Sequence, residues 1–287
     1  MIVSGSASQS LAASLAAELG EPLADVSFDR FPDGELLASV PSLAEGARPD
    51  RAVVVASTVS SDAHVELLQL QDAAREAGVE EVVTVVPYMG YARQDEAFAA
   101  GHPVSARAVA RAISTGADRV LTVNPHERAV CDFFDPPATA VDAAPALADP
   151  LPGDLADPVF LSPDAGAVGI AESVRDARGE GEVDYFEKTR HSGTEVEIAP
   201  SDVDVTDRDV VIVDDIIATG GTMSEAVGVC CDRGAGRAFV ACVHPLLARN
   251  AYARLSRAGV EKIYGTDTIE GSASAVSVAS VLAEALS

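Results

Sequence analysis

Short apolar runs alternate with amphipathic stretches along the whole chain. Ala52–Ser57 (AVVVAS), Val82–Pro87 and Arg119–Val123 are dense in β-branched residues, the mark of strands buried on both faces. Between them the apolar positions recur at helical spacing. Ser8–Leu19 reads as one amphipathic helix. His64–Glu76 reads as another, with Ser61 or Asp62 able to cap it and Gly78 to stop it, and Ser105–Ser114 as a third. The stretch Asp135–Asp157 is rich in proline, alanine and aspartate and weakly periodic, so it reads as a crossover. The plan then repeats with strands at Val159–Leu161, Val183–Phe186, Val210–Val213, Ala238–Val243 and Lys262–Gly265. A helix is expected over Gly166–Arg178 and a last one over Ala275–Leu286. Strand–helix alternation of this kind specifies an α/β protein with mainly parallel sheets flanked by helices. A chain of 287 residues is comfortable for two such units. The boundary is expected near residue 140, giving domains 1–140 and 141–287, with the final helix free to pack on either.

Charge changes this picture. Forty-five acids oppose twenty bases, only Lys188 and Lys262 are lysines, and the net charge is −25. Such a charge disfavours nucleic-acid partners. The 48% hydrophobic content and regular periodicity argue against disorder. An acid-rich, lysine-poor chain with an ordinary core fits concentrated salt, where a short Debye length screens self-repulsion. No apolar run approaches the roughly 18 residues of a membrane span, and the start (MIVSGSASQSLAA) lacks a basic leader region. The four cysteines show no CxxC spacing and read as reduced thiols of a cytoplasmic protein.

The most informative stretch is Val210–Thr222, VVIVDDIIATGGT. A buried strand closes on two aspartates, and a loop of Thr219, Gly220, Gly221 and Thr222 leads into a helical run from Met223. Glycines let the backbone turn its N–H groups toward one point at the positive end of the helix, which suits a phosphate. Asp214 and Asp215 suit sugar hydroxyls, or a divalent cation bridging to them. The implied ligand is a sugar phosphate. The stretch resembles the PRPP-binding motif of the type I phosphoribosyltransferase fold.

Other segments at strand ends and loops carry candidate chemistry. Arg30–Glu35 (RFPDGE) reads as a proline–glycine turn with flanking charges. Pro87–Asp95 (PYMGYARQD) offers tyrosines, an arginine and a glutamine for a base or phosphates, or else forms a packed aromatic turn. His126 in NPHE and Asp164 in SPDAGA both follow strands. Together they could hold a hard cation; separately, one is a hydrogen-bonded histidine and the other a helix N-cap. Lys188 and Arg190 lie in EKTR; in a chain this poor in lysine, Lys188 is either a leftover surface base or retained for a task.

The order RFPDGE, PYMGYARQD, NPHE, SPDAGA, EKTR and VDDIIATGGT closely resembles the ribose-phosphate pyrophosphokinase (PRPP synthetase) family, from about Gly5 to the C-terminus. The resemblance implies two tandem phosphoribosyltransferase-like domains, with ATP on the N-terminal side and ribose 5-phosphate on the C-terminal loop. It implies that Phe31, Asp33 and Glu35 hold adenine in a pocket completed across a subunit interface, hence a homo-oligomer of at least two chains. Arg93 and Gln94 would contact ATP, and His126 and Asp164 the Mg²⁺ that accompanies it. Lys188 and Arg190, on a loop, would stabilise transition-state charge. Asp214, Asp215 and Thr219–Thr222 would hold the sugar phosphate. Three features depart from the family pattern: Asn124-Pro125 before His126, Ala218 in the loop, and Glu96 where a base is common.

A nucleobase phosphoribosyltransferase has no use for a second unit, RFPDGE or PYMGYARQD. A noncatalytic regulatory paralogue would be expected to lose Lys188, Arg190, His126 and the acidic pair, all of which are present. A Walker-type kinase is excluded by the absence of GxxxxGK[ST]. The charge balance yields a direct expectation: the melting temperature rises with KCl concentration, and a melting temperature indifferent to KCl contradicts the salt-adapted reading.

Overall fold

The computed structural model describes residues 1–44, 49–190, 196–199 and 203–287, with side chains described throughout except at 187–190 and 196–199. Two compact units form. The first comprises Met1–Asp142, Asp267–Glu270 and Ser277–Ser287, and the second Ala143–Thr266 and Gly271–Val276. No helix among the described residues is long and apolar enough to cross a membrane.

The first unit opens with β1 (Ile2–Ser4) and α1 (Gln9–Leu19), which Gly20 ends in the left-handed conformation. β2 (Ser27–Arg30) and β3 (Leu36–Ser39) form an antiparallel hairpin apart from the main sheet. Then follow β4 (Arg51–Val55), α2 (Ser61–Glu76), β5 (Glu81–Val86), α3 (Ser105–Ser114), β6 (Arg119–Val123) and β7 (Ala138–Val141). The sheet order is β1-β4-β5-β6-β7, with every neighbouring pair parallel. Unbroken apolar runs suit such strands: Ala52, Val53, Val54 and Val55 are all fully buried because helices cover the sheet. The cap of α2 is Ser60, whose hydroxyl accepts from the Ala63 N–H at 3.1 Å, rather than the expected Ser61 or Asp62. The supposed crossover also contains structure. Ala138–Val141 pairs parallel with β6 as an edge strand, and Ala144–Ala148 forms a 3-10 turn.

The second unit contains β8 (Val159–Ser162), α4 (Val168–Arg178), β9 (Glu182–Tyr185), β10 (Glu187–Arg190), β11 (Val196–Ala199), β12 (Val210–Ile216), α5 (Gly221–Asp232), β13 (Ala238–His244), α6 (Ala251–Arg257), β14 (Val260–Thr266) and β15 (Ser274–Val276). Its sheet order is β15-β14-β13-β12-β8-β9, again wholly parallel. β10 and β11 pair antiparallel as a separate hairpin. The chain leaves β8 toward β9 on one side and resumes at β12 on the other, so the sheet reverses direction between β8 and β12. In open α/β sheets, ligands bind outside the carboxyl ends of strands at such a switch point.

The last helix, α7 (Ala279–Leu286), belongs to the first unit, where it packs on α1. Its C-terminal carbonyls accept from two arginines at strand starts: Arg119 reaches Ala285 O at 2.6 Å and Arg51 reaches Leu286 O at 3.3 Å. Cations there suit the negative end of a helix.

Candidate active site

At the switch point, β12 delivers two carboxylates from one strand end. Val210–Val213 are fully buried and Asp214 and Asp215 half-buried, as the strand emerges from the sheet. The Asp214 carboxylate accepts the Asp215 N–H at 2.9 Å. Asp164 lies two residues past the end of the neighbouring parallel strand β8 and close enough to act on Asp214. Burial, with the carboxylates of Asp215 and then Asp164, pushes the Asp214 carboxyl well above the ordinary aspartate value. The fully buried Cys242, its register partner on β13, is pushed up by burial and by Asp214. Asp164 also caps the turn after it, accepting from the Gly166 N–H at 3.0 Å.

Past the aspartates the chain turns sharply. Gly220 sits at φ 69°, a region that favours glycine, and α5 starts at Gly221. No side chain caps the helix, and uncapped N–H groups at a helix start suit an anion. The loop is braced from the side by the end of β13 and by residues 245–248. Ile217 N–H donates to His244 O at 3.1 Å, Leu247 N–H to Ile217 O at 2.9 Å, and Ala248 N–H to Ala218 O at 2.8 Å. Thr219 is exposed, and Gly221 and Thr222 are half-buried. The arrangement can hold a phosphate at the helix start and sugar hydroxyls at the carboxylates.

The remaining candidates of this unit are Lys188 and Arg190. They lie on β10, a strand paired with β11, where a loop was expected; their side chains lie outside the described residues.

In the first unit, Phe31, Asp33 and Glu35 occupy the tip of the β2–β3 hairpin. Phe31 is 50% exposed. Glu35 N–H donates to the Asp33 carboxylate at 3.2 Å, and Phe31 N–H to Glu35 O at 2.8 Å, so the turn is built from the same residues. Gln69 on α2 fixes the hairpin by accepting from Ala38 N–H at 2.7 Å and donating to Leu36 O at 2.9 Å. Arg93 and Gln94 follow β5. Gly90 lets this segment cross the backbone after β4, since a β-carbon there would stand 2.3 Å from Thr58 O. Tyr91 takes φ 65°, with its ring 51% exposed and its hydroxyl 2.9 Å from Ser61 Oγ. Arg93 is exposed. Gln94 is engaged with the start of α3, accepting from Ser105 Oγ at 2.6 Å and donating to Pro103 O at 3.2 Å. His126 is exposed beyond β6. Asn124, before it, sits at φ 33° and donates to Asp142 at 2.7 Å. Asparagine tolerates that backbone conformation better than most residues.

The six candidates of the first unit thus fall on two loops and a hairpin; in the second, Asp164, Asp214, Asp215 and Thr219–Thr222 lie at the switch point, while Lys188 and Arg190 lie on the separate β10–β11 hairpin. His126 and Asp164 belong to different units. The proximity of Asp164 to the Asp214–Asp215 pair was not anticipated, although both positions lie at the carboxyl ends of strands that the sequence marks. No group of three or more histidine, cysteine, aspartate or glutamate side chains is arranged to hold a metal among the described residues.

Known proteins match this architecture throughout. The family described as the N-terminal domain of ribose phosphate pyrophosphokinase matches residues 1–116, and the phosphoribosyl transferase domain matches residues 149–279. A ribose-phosphate pyrophosphokinase of Halobacterium salinarum is 63% identical over 286 residues, covering 100% of both chains. The chain belongs to the ribose-phosphate pyrophosphokinase family. A family member from Methanosarcina mazei is 46% identical over 287 residues, covering 100% of this chain and 95% of its own. The crystal structure of phosphoribosylpyrophosphate synthetase from Mycobacterium smegmatis superposes with a TM-score of 0.82 at 28% identity, covering 100% of this chain and 97% of that one. The pyrophosphokinase fold is therefore shared over the full length, with two mainly parallel α/β domains.

The raised Asp214 pKa makes the site costly. A carboxyl whose folded pKa exceeds its unfolded one is most stabilising below the unfolded value, and stability is lost as pH rises through the folded value. Asp214→Asn keeps the acceptor for Asp215 N–H and removes the charge. The variant is expected to melt above wild type at about pH 8, with the gap closing near pH 4, the ordinary aspartate range. Thermal melts across pH in molar KCl check this; a variant that melts lower at pH 8 contradicts it.

Proposed function

We propose that this chain transfers the pyrophosphoryl group of ATP to the C1 hydroxyl of ribose 5-phosphate, giving PRPP and AMP. The observation that carries the reading is the pair Asp214–Asp215 beside an uncapped helix start at the sheet's switch point. The two aspartates take the ribose 2′ and 3′ hydroxyls, and Thr219, Gly220, Gly221 and Thr222 take the 5-phosphate. That fixes the sugar at two ends and directs its C1 hydroxyl. The hydroxyl oxygen attacks the β-phosphorus in line, the bond from that phosphorus to the α–β bridging oxygen breaks, and AMP leaves with that oxygen. The hydroxyl proton is lost to solvent.

ATP is assigned to the first unit. Arg93 meets its phosphates, and Gln94 acts from the same turn, its amide anchoring the segment to α3. Phe31, Asp33 and Glu35 take the adenine in a pocket completed by a second copy, so the working form is at least a homodimer. The exposed Phe31 ring at the hairpin tip supports this. The donors suit Mg²⁺, a hard cation usually bound by one or two carboxylates plus substrate phosphates. His126 and Asp164 would hold it, and when bound it supplies positive charge on the phosphates of ATP. Lys188 and Arg190 stabilise the charge that develops on the transferred group. Such transfers depend on alignment and electrostatics more than on covalent help from the protein.

Phosphorus NMR of the protein in molar KCl with Mg²⁺, ATP and ribose 5-phosphate tests the reaction: AMP appears in step with PRPP. Folded protein that makes no AMP favours the noncatalytic paralogue, and consumption of PRPP with a free base favours the transferase. For Lys188→Ala, kcat falls about 10²–10³-fold with ATP binding nearly intact, the scale of losing one transition-state donor. A fall of less than about tenfold removes the role given to Lys188.

A further inference from the structure

The segment that receives the sugar phosphate, residues 214–222 (DDIIATGGT), contains no basic residue. Its two carboxylates repel the phosphate dianion, and the whole chain carries a net charge of −25. The start of α5 offers only about half an elementary charge. In about 1 M salt the Debye length falls to about 3 Å, so distant cations are screened and only one in contact with the phosphate counts.

Arg254 meets that requirement. It lies on α6, which packs against α5 and β14. Ala251 and Leu255 are fully buried on the same helix and close against Gly220, where a β-carbon would stand 3.4 Å from each. This anchors the helix directly behind the loop. From it the Arg254 side chain passes over the first residue of α5: Nη1 is 3.1 Å from the point where a β-carbon on Gly221 would stand, and Thr219 Oγ1 is 3.9 Å from that same point. The guanidinium makes no hydrogen bond or ion pair with any described residue, in a chain where acids outnumber bases 45 to 20. Its five donors are therefore open to an oxyanion.

We propose that Arg254 binds the 5-phosphate of ribose 5-phosphate, closing over the Thr219–Thr222 loop from α6. This rests on the reading of that loop as the ribose 5-phosphate site. It gives Gly221 a second reason to be glycine, because a side chain there crowds the guanidinium.

The test is calorimetric titration of ribose 5-phosphate and, separately, Mg-ATP into the full chain in molar KCl, for wild type, Arg254→Gln, Arg254→Lys and Arg257→Gln. Losing a charge-assisted hydrogen bond typically weakens binding about tenfold or more, and Arg254→Gln is expected to lose that much affinity for ribose 5-phosphate. Its ATP affinity stays at the wild-type value, Arg254→Lys recovers part of the loss, and Arg257→Gln, altered on the same helix, behaves as wild type. Arg254→Gln with unchanged ribose 5-phosphate affinity overturns the proposal, as does an equal loss for ATP, which marks a structural role. Wild type that binds ribose 5-phosphate but forms no AMP refutes the pyrophosphokinase reaction and leaves this test standing. Wild type that does not bind the sugar phosphate refutes both the loop's role and that of Arg254.

Discussion

Two carboxylates on consecutive residues, Asp214 and Asp215, stand where a fully buried strand surfaces, with a third, Asp164, just past the end of the strand beside it. Like charges so placed disfavour one another's ionised forms, and burial adds to the cost. The sheet makes the arrangement possible. Val210–Ile212 are paired with β8 on one side and β13 on the other, so the strand end cannot retreat from its neighbours without unpairing the ladder. A polar ligand that engages the ionised carboxylates recovers part of what the empty fold loses. A site of this kind is expected to cost stability in the free protein.

The same strand sets the rest of the second unit's chemistry. Because the sheet reverses between β8 and β12, the loops after those strands lead to opposite sides, and their carboxyl ends are where open α/β sheets bind ligands. The loop into α5 would be free to shift but for the segment after β13, which bonds along Ile217 and Ala218. That segment holds Leu247 at φ 42° and Arg249 at φ 58°. Non-glycine residues in this region cost about 1–3 kcal/mol each, and such strain gathers at sites where geometry matters. Pro245 packs over Gly265, where a β-carbon would stand 2.6 Å from the proline ring, which ties the brace to β14.

Much of this was legible in the sequence because its parts are contiguous. Strand, acid pair, glycine turn and helix run within residues 210–232, and each imposes a local pattern. β6 and α3 came out at their expected limits for the same reason: Arg119–Val123 and Ser105–Ser114 carry clear periods. What was not legible depended on tertiary pairing. Ala138–Val141 is too short to show alternation against its alanine-rich surroundings and is a strand because β6 offers it an edge. Glu187–Arg190 is polar and becomes a strand only through Val196–Ala199. Asp164 meets Asp214 across fifty residues of sequence because β8 and β12 are neighbours, and the bonds of Gln94 to Ser105 and Pro103 depend on where α3 starts. No local signal in LLARNAYARL points Arg254 at a loop that ends thirty-two residues earlier.

Carboxyl-carbon NMR of protein labelled at aspartate, with Asp214 assigned by its loss in Asp214→Asn, tests the central claim directly. In ligand-free protein the Asp214 signal is expected to titrate well above the ordinary aspartate range, and its midpoint to fall when ribose 5-phosphate and Mg²⁺ are added. An ordinary or depressed midpoint in the free protein, unmoved by the ligand, contradicts an acid pair held at a cost for the sugar.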